Sequence, residues 1–292
     1  MHVFVTGASG FIGIQVVREL IDGGHQVLGL ARSEESAQKL IAAGAGVHHG
    51  NLDDIASLRA AAAKTDAVIH LGFHHDFSKF AEAAAMDRLA IEAFGEELAG
   101  SDRPLIVTAG IGPRKAGQIA TEESDPIDTP NLPRVSERAA LSLLQKGVRV
   151  SVVRLPQVHD TAKQGLVSGL IGIAKAKGVS AYIDNGLNRW AAAHVLDVAV
   201  LYKLVLEKGA AGKRYHAVDE EGVYLKDIAA AIAQRLKLPL VSKSKEEAPA
   251  HFGWLALPAG TDMPASGALT QQWLGWRPNH RGMIADLDNG TY

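Results

Sequence analysis

TGASGFIG, residues Thr6 to Gly13, is the stretch that decides how the rest of the chain is read. It follows the apolar run Val3-Phe4-Val5 and leads into IQVVREL, whose apolar residues recur at helical spacing until Gly23-Gly24. A strand, a tight glycine turn and a helix in that order suit a pyrophosphate. The first glycine permits the turn, the second lets phosphates approach the backbone, and the third lets the helix pack against the strand. Free N–H groups at the helix start add donors and partial positive charge. Gly7, Gly10 and Gly13 are placed for those roles, with Ser9, Phe11 and Ile12 between them, and all six are expected to contact a dinucleotide.

The same alternation continues along the chain. Strand patterns at 25–32, 47–49, 66–72, 104–110 and 148–156 alternate with helical patterns at 33–44, 53–64, 77–98 and 136–147. That order predicts βαβ units, hence an α/β chain with a Rossmann-type doubly wound parallel sheet and helices on both faces. Residues 1–160 are expected to hold the cofactor, with a last strand and helix open to recruitment from 161–220. Residues 161–292, with helical patterns near 164–178, 195–208 and 224–236, read as a smaller mixed α/β substrate lobe rather than an independent domain. Residues 110–133, crowded with Gly, Pro, Thr and Asp, read as a loop.

Composition excludes several classes. Of 292 residues, 47% are hydrophobic and 21% charged, enough for a sizeable core. The net charge is −2 with no long basic run, so nucleic acid is not expected as a partner. Cysteine is absent, which removes disulfides and thiolate metal sites. No uncharged apolar run reaches membrane-spanning length, and no charged n-region precedes an apolar leader. A soluble cytoplasmic protein with a small-molecule substrate is expected, and a homodimer is left open.

The end of the second strand selects the nucleotide. An NAD site usually carries Asp or Glu there for the ribose 2′-hydroxyl, whereas Arg accepts a 2′-phosphate. The chain reads LGLARS, with no carboxylate before Glu34. Arg32 offers a fork of donors and Ser33 a hydroxyl, so NADP is the expected cofactor.

With these residues in view, TGASGFIG and its GxxGxxG spacing resemble the extended and atypical short-chain dehydrogenase/reductases, which include the NAD(P)-dependent epimerases and dehydratases. HHGNLDD resembles the family's adenine-contacting turn, with Asn51-Leu52 for the usual Asp-Leu. VIHLGFHH resembles the segment lining the cofactor after the fourth strand, which implies roles for Leu71 and Gly72. VRLPQVH resembles the nicotinamide-side segment, at Pro156, Gln157 and Val158. RWAAAHVLDVA, with His194 and Asp197, and LGWRP resemble the family's substrate lobe and C-terminal tail.

The family's catalytic groups do not carry over. TAG of PLIVTAGIG stands where the family has Ser, so Thr108 or Ala109 takes that place, and Thr108, with its hydroxyl, is the candidate both to orient a carbonyl and to line the cofactor. The Y-x-x-S-K pattern falls in LPRVSERAAL. Aligning on Ser136 puts Pro133 for the Tyr and Glu137 for the Lys, and a shift by one gives Arg134 and Arg138. Asp87 corresponds to the family's helical Asn. A phenol beside a Lys passes a proton at neutral pH, and an Arg does so poorly.

His159 is the candidate replacement donor, set against a plain loop histidine. His74 and His75, Lys115 and Tyr182 are weaker alternatives, and Trp190, His194, Trp254, Trp273 and Trp276 read as packing residues. No metal is expected at His48-His49 or His74-His75, because adjacent strand side chains point to opposite faces. Three functions stay open: an NADP-dependent oxidoreductase moving a hydride to or from a small carbonyl or alcohol by a non-standard proton relay, an NADP(H)-binding redox-sensing regulator, and a nucleotide-sugar epimerase or dehydratase.

Overall fold

The computed structural model describes residues 1–74, 79–113, 117–125 and 135–292. In chain order the first part runs β1 (His2–Thr6), α1 (Phe11–Asp22), β2 (Gln26–Ala31), α2 (Glu34–Ala42), β3 (Gly46–His49), α3 (Ile55–Ala62), β4 (Ala67–His70), α4 (Phe80–Leu98), β5 (Leu105–Gly110), α5 (Ser136–Ser142) and β6 (Val150–Leu155). The second part runs β7 (Gln157–His159), α6 (Val167–Lys177), β8 (Ser180–Ile183), β9 (Arg189–His194), α7 (Val195–Lys208), β10 (Arg214–His216), β11 (Glu220–Tyr224), α8 (Leu225–Leu236), β12 (Leu240–Lys243), α9 (Ala248–Phe252), α10 (Ala256–Ala259), α11 (Ala268–Leu274) and α12 (Met283–Asp288).

Seven parallel strands form the central sheet, in the order β10-β6-β5-β4-β1-β2-β3. The alternation of side chains along β1 explains its two covers. Val3 and Val5 face one apolar layer with Val16, Leu20, Val198 and Leu201 of α1 and α7. Phe4 faces the opposite layer with Leu58, Ile91, Phe94 and Leu143 from the α3–α5 side. The strand order reverses at β1, which pairs with both β2 and β4. Ligands of open α/β sheets bind at the carboxyl ends flanking such a point.

Local chemistry sets several boundaries. Ser33 caps α2 by accepting the Ser36 N–H, and Asp54 caps α3 by accepting the Ser57 N–H. The helical pattern expected over 136–147 is split: α5 ends at Ser142, a 3₁₀ turn covers Leu143–Lys146, and Gly147 stops it at φ +72°. The long helix is described from Phe80, and the expected start at Phe77 lies outside the described residues.

Beyond β6, a three-stranded sheet (β11-β9-β7) and the parallel pair β12-β8 pack with α6, α8 and α12 around Trp190, Ile228, Phe252, Leu255 and Met283. β7 runs parallel to β9 directly beside the end of the central sheet. No helix among the described residues is long and apolar enough to cross a membrane.

Candidate cofactor and substrate site

The glycine loop is built to leave one face open. Gly7 sits at φ +65°, and a Cβ there would lie 2.8 Å from the Gly72 nitrogen and 2.9 Å from the Leu71 carbonyl carbon. The loop is thus seated directly on the chain leaving β4. A Cβ on Gly13 would stand 2.0 Å from the Gly7 carbonyl oxygen, so α1 reaches its position only with glycine there. Gly10 caps α1 and donates to Gly7 O at 3.0 Å. Its missing Cβ would meet only that oxygen, at 3.1 Å, and otherwise open space. An open face over a helix N-terminus with free N–H groups fits a pyrophosphate.

Of the other cofactor candidates, Leu71 and Gly72 pack against this loop. Leu52 leans over Gly72, where an added Cβ would be 3.0 Å from Leu52 Cδ2. Asn51 Oδ1 accepts the Asp53 and Asp54 N–H groups at 2.8 and 3.1 Å, which shapes the turn. Arg32 follows β2, is exposed, and has no hydrogen bond or ion pair to any described residue. Pro156, Gln157 and Val158 join β6 to β7, with Val158 buried. Leu166 N–H donates to Gln157 Oε1 at 3.1 Å. Ile111, Leu155, Pro156, Gln157, Trp190 and Met263 bound a small crevice beside them.

The positions of the family's relay are filled by other partnerships. Glu137, which stands for the Lys in the alignment on Ser136, takes two hydrogen bonds from buried Arg154, at 2.9 and 2.6 Å. Arg154 also donates to the carbonyls of Thr121 and Ser124 and contacts His216 Nε2. Asp87 accepts the Ser136 hydroxyl at 2.5 Å and lies 3.2 Å from His70 Nε2. His70 Nδ1 is 2.7 Å from the Thr6 hydroxyl, which accepts the Gly72 N–H at 3.0 Å. A carboxylate only accepts, so the network assigns the His70 proton to Nε2 and the Thr6 O–H to Nδ1. This buried chain joins the glycine-loop strand to the start of α5. Pro133, Arg134, His75 and Lys115 lie outside the described residues.

Thr108 and His159, the candidate catalysts, occupy different surroundings. The Thr108 hydroxyl is buried and lies 2.7 Å from the Tyr202 hydroxyl of α7. His159 differs from the expectation of a ring above a substrate: it is 0% exposed, with Nδ1 2.7 Å from Asp286 Oδ2 on α12. Burial pushes its pKa down, against the opposing pull of Asp286. Its Nε2 has no hydrogen-bond partner and lies 3.8 Å from Glu220 Oε2. Glu220, whose carboxyl burial pushes up, accepts the Met283 N–H at the start of α12.

Two further histidines, His194 and His280, serve the tail. His194, Asp197 and His280 bring ligand atoms within 4.8 Å of one another. Asp197 accepts the N–H groups of Asn279 and His280 and sits 2.8 Å from His280 Nδ1, while the His194 and His280 rings stack at 4.8 Å. The cluster therefore anchors the C-terminal tail, as does the Trp276 indole donating to Asp197 O. His74 Nε2 lies 3.4 Å from an Asp53 oxygen without hydrogen-bond alignment. Tyr182 stands on β8, within the second part. The Thr108–Tyr202 pair, the Asp286 partner of His159 and the Met263 wall were not foreseen, because each joins residues 94 or more positions apart or lies in a segment without a motif.

Comparison with known proteins places this geometry. The profile of the NAD dependent epimerase/dehydratase family matches residues 3–91. The uncharacterized protein C2A9.02 of Schizosaccharomyces pombe is 48% identical over 100% of both chains. The uncharacterized protein YLL056C of Saccharomyces cerevisiae is 44% identical over 98% of both. A 4-hydroxy-2-methyl-3-oxo-4-farnesyl-3,4-dihydroquinoline-1-oxide ketoreductase of Stigmatella aurantiaca is 25% identical, over 91% of this chain and 84% of that one. The dTDP-glucose 4,6-dehydratase DesIV of Streptomyces venezuelae, solved with NAD bound, superposes with a TM-score of 0.77 at 18% identity, over 99% of this chain and 95% of that one. By its glycine loop, its sheet order and these matches, the chain belongs to the NAD-dependent epimerase/dehydratase family of extended short-chain dehydrogenase/reductase type.

Proposed function

We propose that this protein is an NADP-dependent oxidoreductase acting on a small carbonyl or alcohol, with proton transfer that does not use a Tyr–Lys pair. The observation that carries the reading is the open face over Gly10, together with an exposed Arg32 that has no partner among the described residues. Gly7, Ser9, Gly10, Phe11, Ile12 and Gly13 would hold the pyrophosphate, Arg32 and Ser33 the 2′-phosphate, and Asn51, Leu52, Leu71 and Gly72 the adenosine side. Thr108, Pro156, Gln157 and Val158 would face the nicotinamide side, with residues 1–160 holding the cofactor and 161–292 closing the substrate side. The nicotinamide, when bound, supplies a hydride to a carbonyl carbon. The oxygen then takes a proton from solvent, so a ketone, NADPH and a proton give an alcohol and NADP⁺. Thr108, backed by Tyr202, is the hydroxyl nearest in chain to the family's substrate-orienting position. His159 is assigned to holding α12 against β7, since its ring is closed off from solvent. The ketoreductase name of one relative supports the reaction class.

A second reading, an NADP(H)-binding redox sensor without turnover, is favoured by one observation: Glu137, the counterpart of the family's Lys in the alignment on Ser136, is tied up by buried Arg154. Absorbance assays of NADPH oxidation against a broad carbonyl panel separate the two. Turnover with any carbonyl is expected. Tight NADPH binding with no turnover on the panel would select the sensor.

A further inference from the structure

The loop between β7 and α6 carries a lysine to the start of α1. We propose, on the dinucleotide-binding part of the reading above, that Lys163 is the outer wall of the pyrophosphate site and supplies a cation that TGASGFIG itself lacks. The Lys163 ammonium stands 5.6 Å from the centroid of the Phe11 ring. Phe11 is the first residue of α1, directly after the Gly10 cap. The start of a helix carries partial positive charge, and the first turn of α1 holds no Asp or Glu to offset it. A lysine brought there puts like charge beside like charge. Apart from the ring contact, the exposed Lys163 side chain has no hydrogen bond or ion pair to any described residue. The carboxylate of its own loop, Asp160, has Oδ1 taken by the Ala162 and Lys163 N–H groups, both at 2.7 Å. An aromatic ring attracts an exposed cation only weakly. An anion between the two positive groups turns their repulsion into attraction on both sides, and a pyrophosphate over the open face of Gly10 is the anion that fits.

The turn that carries Lys163 is already built. Asp160 N–H donates to Lys163 O at 2.9 Å, and buried Gln164 donates from Nε2 to Asp160 O at 2.8 Å. Thr291 N–H, from the C-terminal tail, donates to Thr161 O at 3.0 Å. Only the lysine side chain is left to order when the anion enters, so little of the contact is lost to loop ordering. The turn belongs to the chain after β7, so a dinucleotide held this way is gripped by both parts of the molecule. Lys163 and Arg32 then differ in what they read. The pyrophosphate is common to NADPH and NADH, whereas the 2′-phosphate assigned to Arg32 is present only in NADPH.

The test is calorimetric titration of the full chain with NADPH and with NADH, at low and at high salt, beside thermal melts without cofactor. Lys163→Met keeps an apolar stem over Phe11 and removes the charge. It should weaken both dinucleotides by the same factor, about five- to tenfold. The loss of affinity on adding salt should become shallower than in the parent. Lys163→Arg, which restores the charge, should recover most of the affinity. Without cofactor, Lys163→Met should melt at or above the parent temperature, because a repulsion at the start of α1 has been removed. Unchanged dinucleotide affinity in Lys163→Met overturns the assignment of Lys163 and leaves the cofactor reading standing. A loss confined to NADPH, or a weaker affinity accompanied by a lower melting temperature, overturns it as well. Failure of the parent to bind either dinucleotide overturns the cofactor reading itself.

Discussion

Gly10 and Gly13 lie three residues apart in one loop, yet the structure assigns them different work, and alanine at each position tests it. A methyl at Gly13 would stand 2.0 Å from the Gly7 oxygen and 2.8 Å from its carbonyl carbon. That is about 1.5 Å inside an ordinary separation of ~3.5 Å. Both neighbours are backbone, so relief requires moving α1 away from the loop. Overpacking of flexible side chains costs about 1–3 kcal/mol, and a backbone overlap of this depth should exceed ~3 kcal/mol. At roughly 2–4 °C per kcal/mol for a chain of this size, Gly13→Ala should melt about 6–12 °C or more below the parent. A methyl at Gly10 meets one oxygen at 3.1 Å, in a β-region conformation that any residue adopts (φ −75°, ψ 175°). Its cost is that of a poorer helix cap, about 0.5–1 kcal/mol. The same methyl fills the space a pyrophosphate would enter, so Gly10→Ala should bind NADPH at least about a hundredfold more weakly, a loss of ~2.7 kcal/mol. Thermal melts without cofactor and calorimetric titration with NADPH read the two effects. Parent-like melting of Gly13→Ala would refute the packing argument, and parent-like NADPH affinity of Gly10→Ala would refute the phosphate site.

Three further outcomes follow from other contacts. Arg32→Ala should weaken NADPH about ten- to a hundredfold and leave NADH unchanged; equal affinities for the two cofactors in the parent would remove the NADP assignment. Glu137→Ala strands the buried Arg154 guanidinium and should cost about 3–5 kcal/mol in urea melts, whereas an effect below ~1 kcal/mol would show the pair to be dispensable. His159 and His194 both have pKa values lowered by burial, so the unfolded chain binds more protons below about pH 6.5; stability is full above that pH and falls as pH drops through it, by up to ~1.4 kcal/mol per unit per histidine. His159→Gln should shallow that slope below about pH 6.5, and an unaltered slope there would assign it to other groups.

Most of the sheet was legible because its signals are local. Val3-Phe4-Val5 followed by three glycines fixes a strand, a turn and a helix within about 20 residues, and each later βαβ unit repeats that periodicity. The short strands β7, β8, β9, β11 and β12 were not read. They span three to six residues, and β11 and β12 include exposed or half-buried positions with no clean alternation. Their pairing is set by tertiary contact, which outweighs propensity in such short runs. The cofactor candidates on the loop after β1 and at the end of β4 fall together in space because strand ends of a parallel sheet share one edge. His159 shows the limit of the same reasoning. Its place after VRLPQV suggests exposure above a substrate, but its partner Asp286 is 127 positions away, and nothing near His159 in the chain announces that α12 closes over it.

The changes at the family's relay are mutually consistent, and that consistency bears on what kind of protein this is. A Lys at position 137 would stand against Arg154, which is buried, fixed by two backbone carbonyls and unable to lose its proton. Two cations in that space would repel at low dielectric, whereas Glu137 meets the guanidinium with both oxygens. Asp87 in place of the Asn likewise finds two donors, the Ser136 hydroxyl and the His70 ring, and neither oxygen is left unpaired. Random loss of a catalytic set would leave buried charges without partners, each costing several kcal/mol. The chain instead carries a completed polar network from Thr6 on β1 to Ser136 on α5. That network lies directly under the Gly7–Gly72 contact of the glycine loop, so Ser136→Ala, which leaves Asp87 without its hydroxyl donor, should loosen the loop's seat and lower the melting temperature.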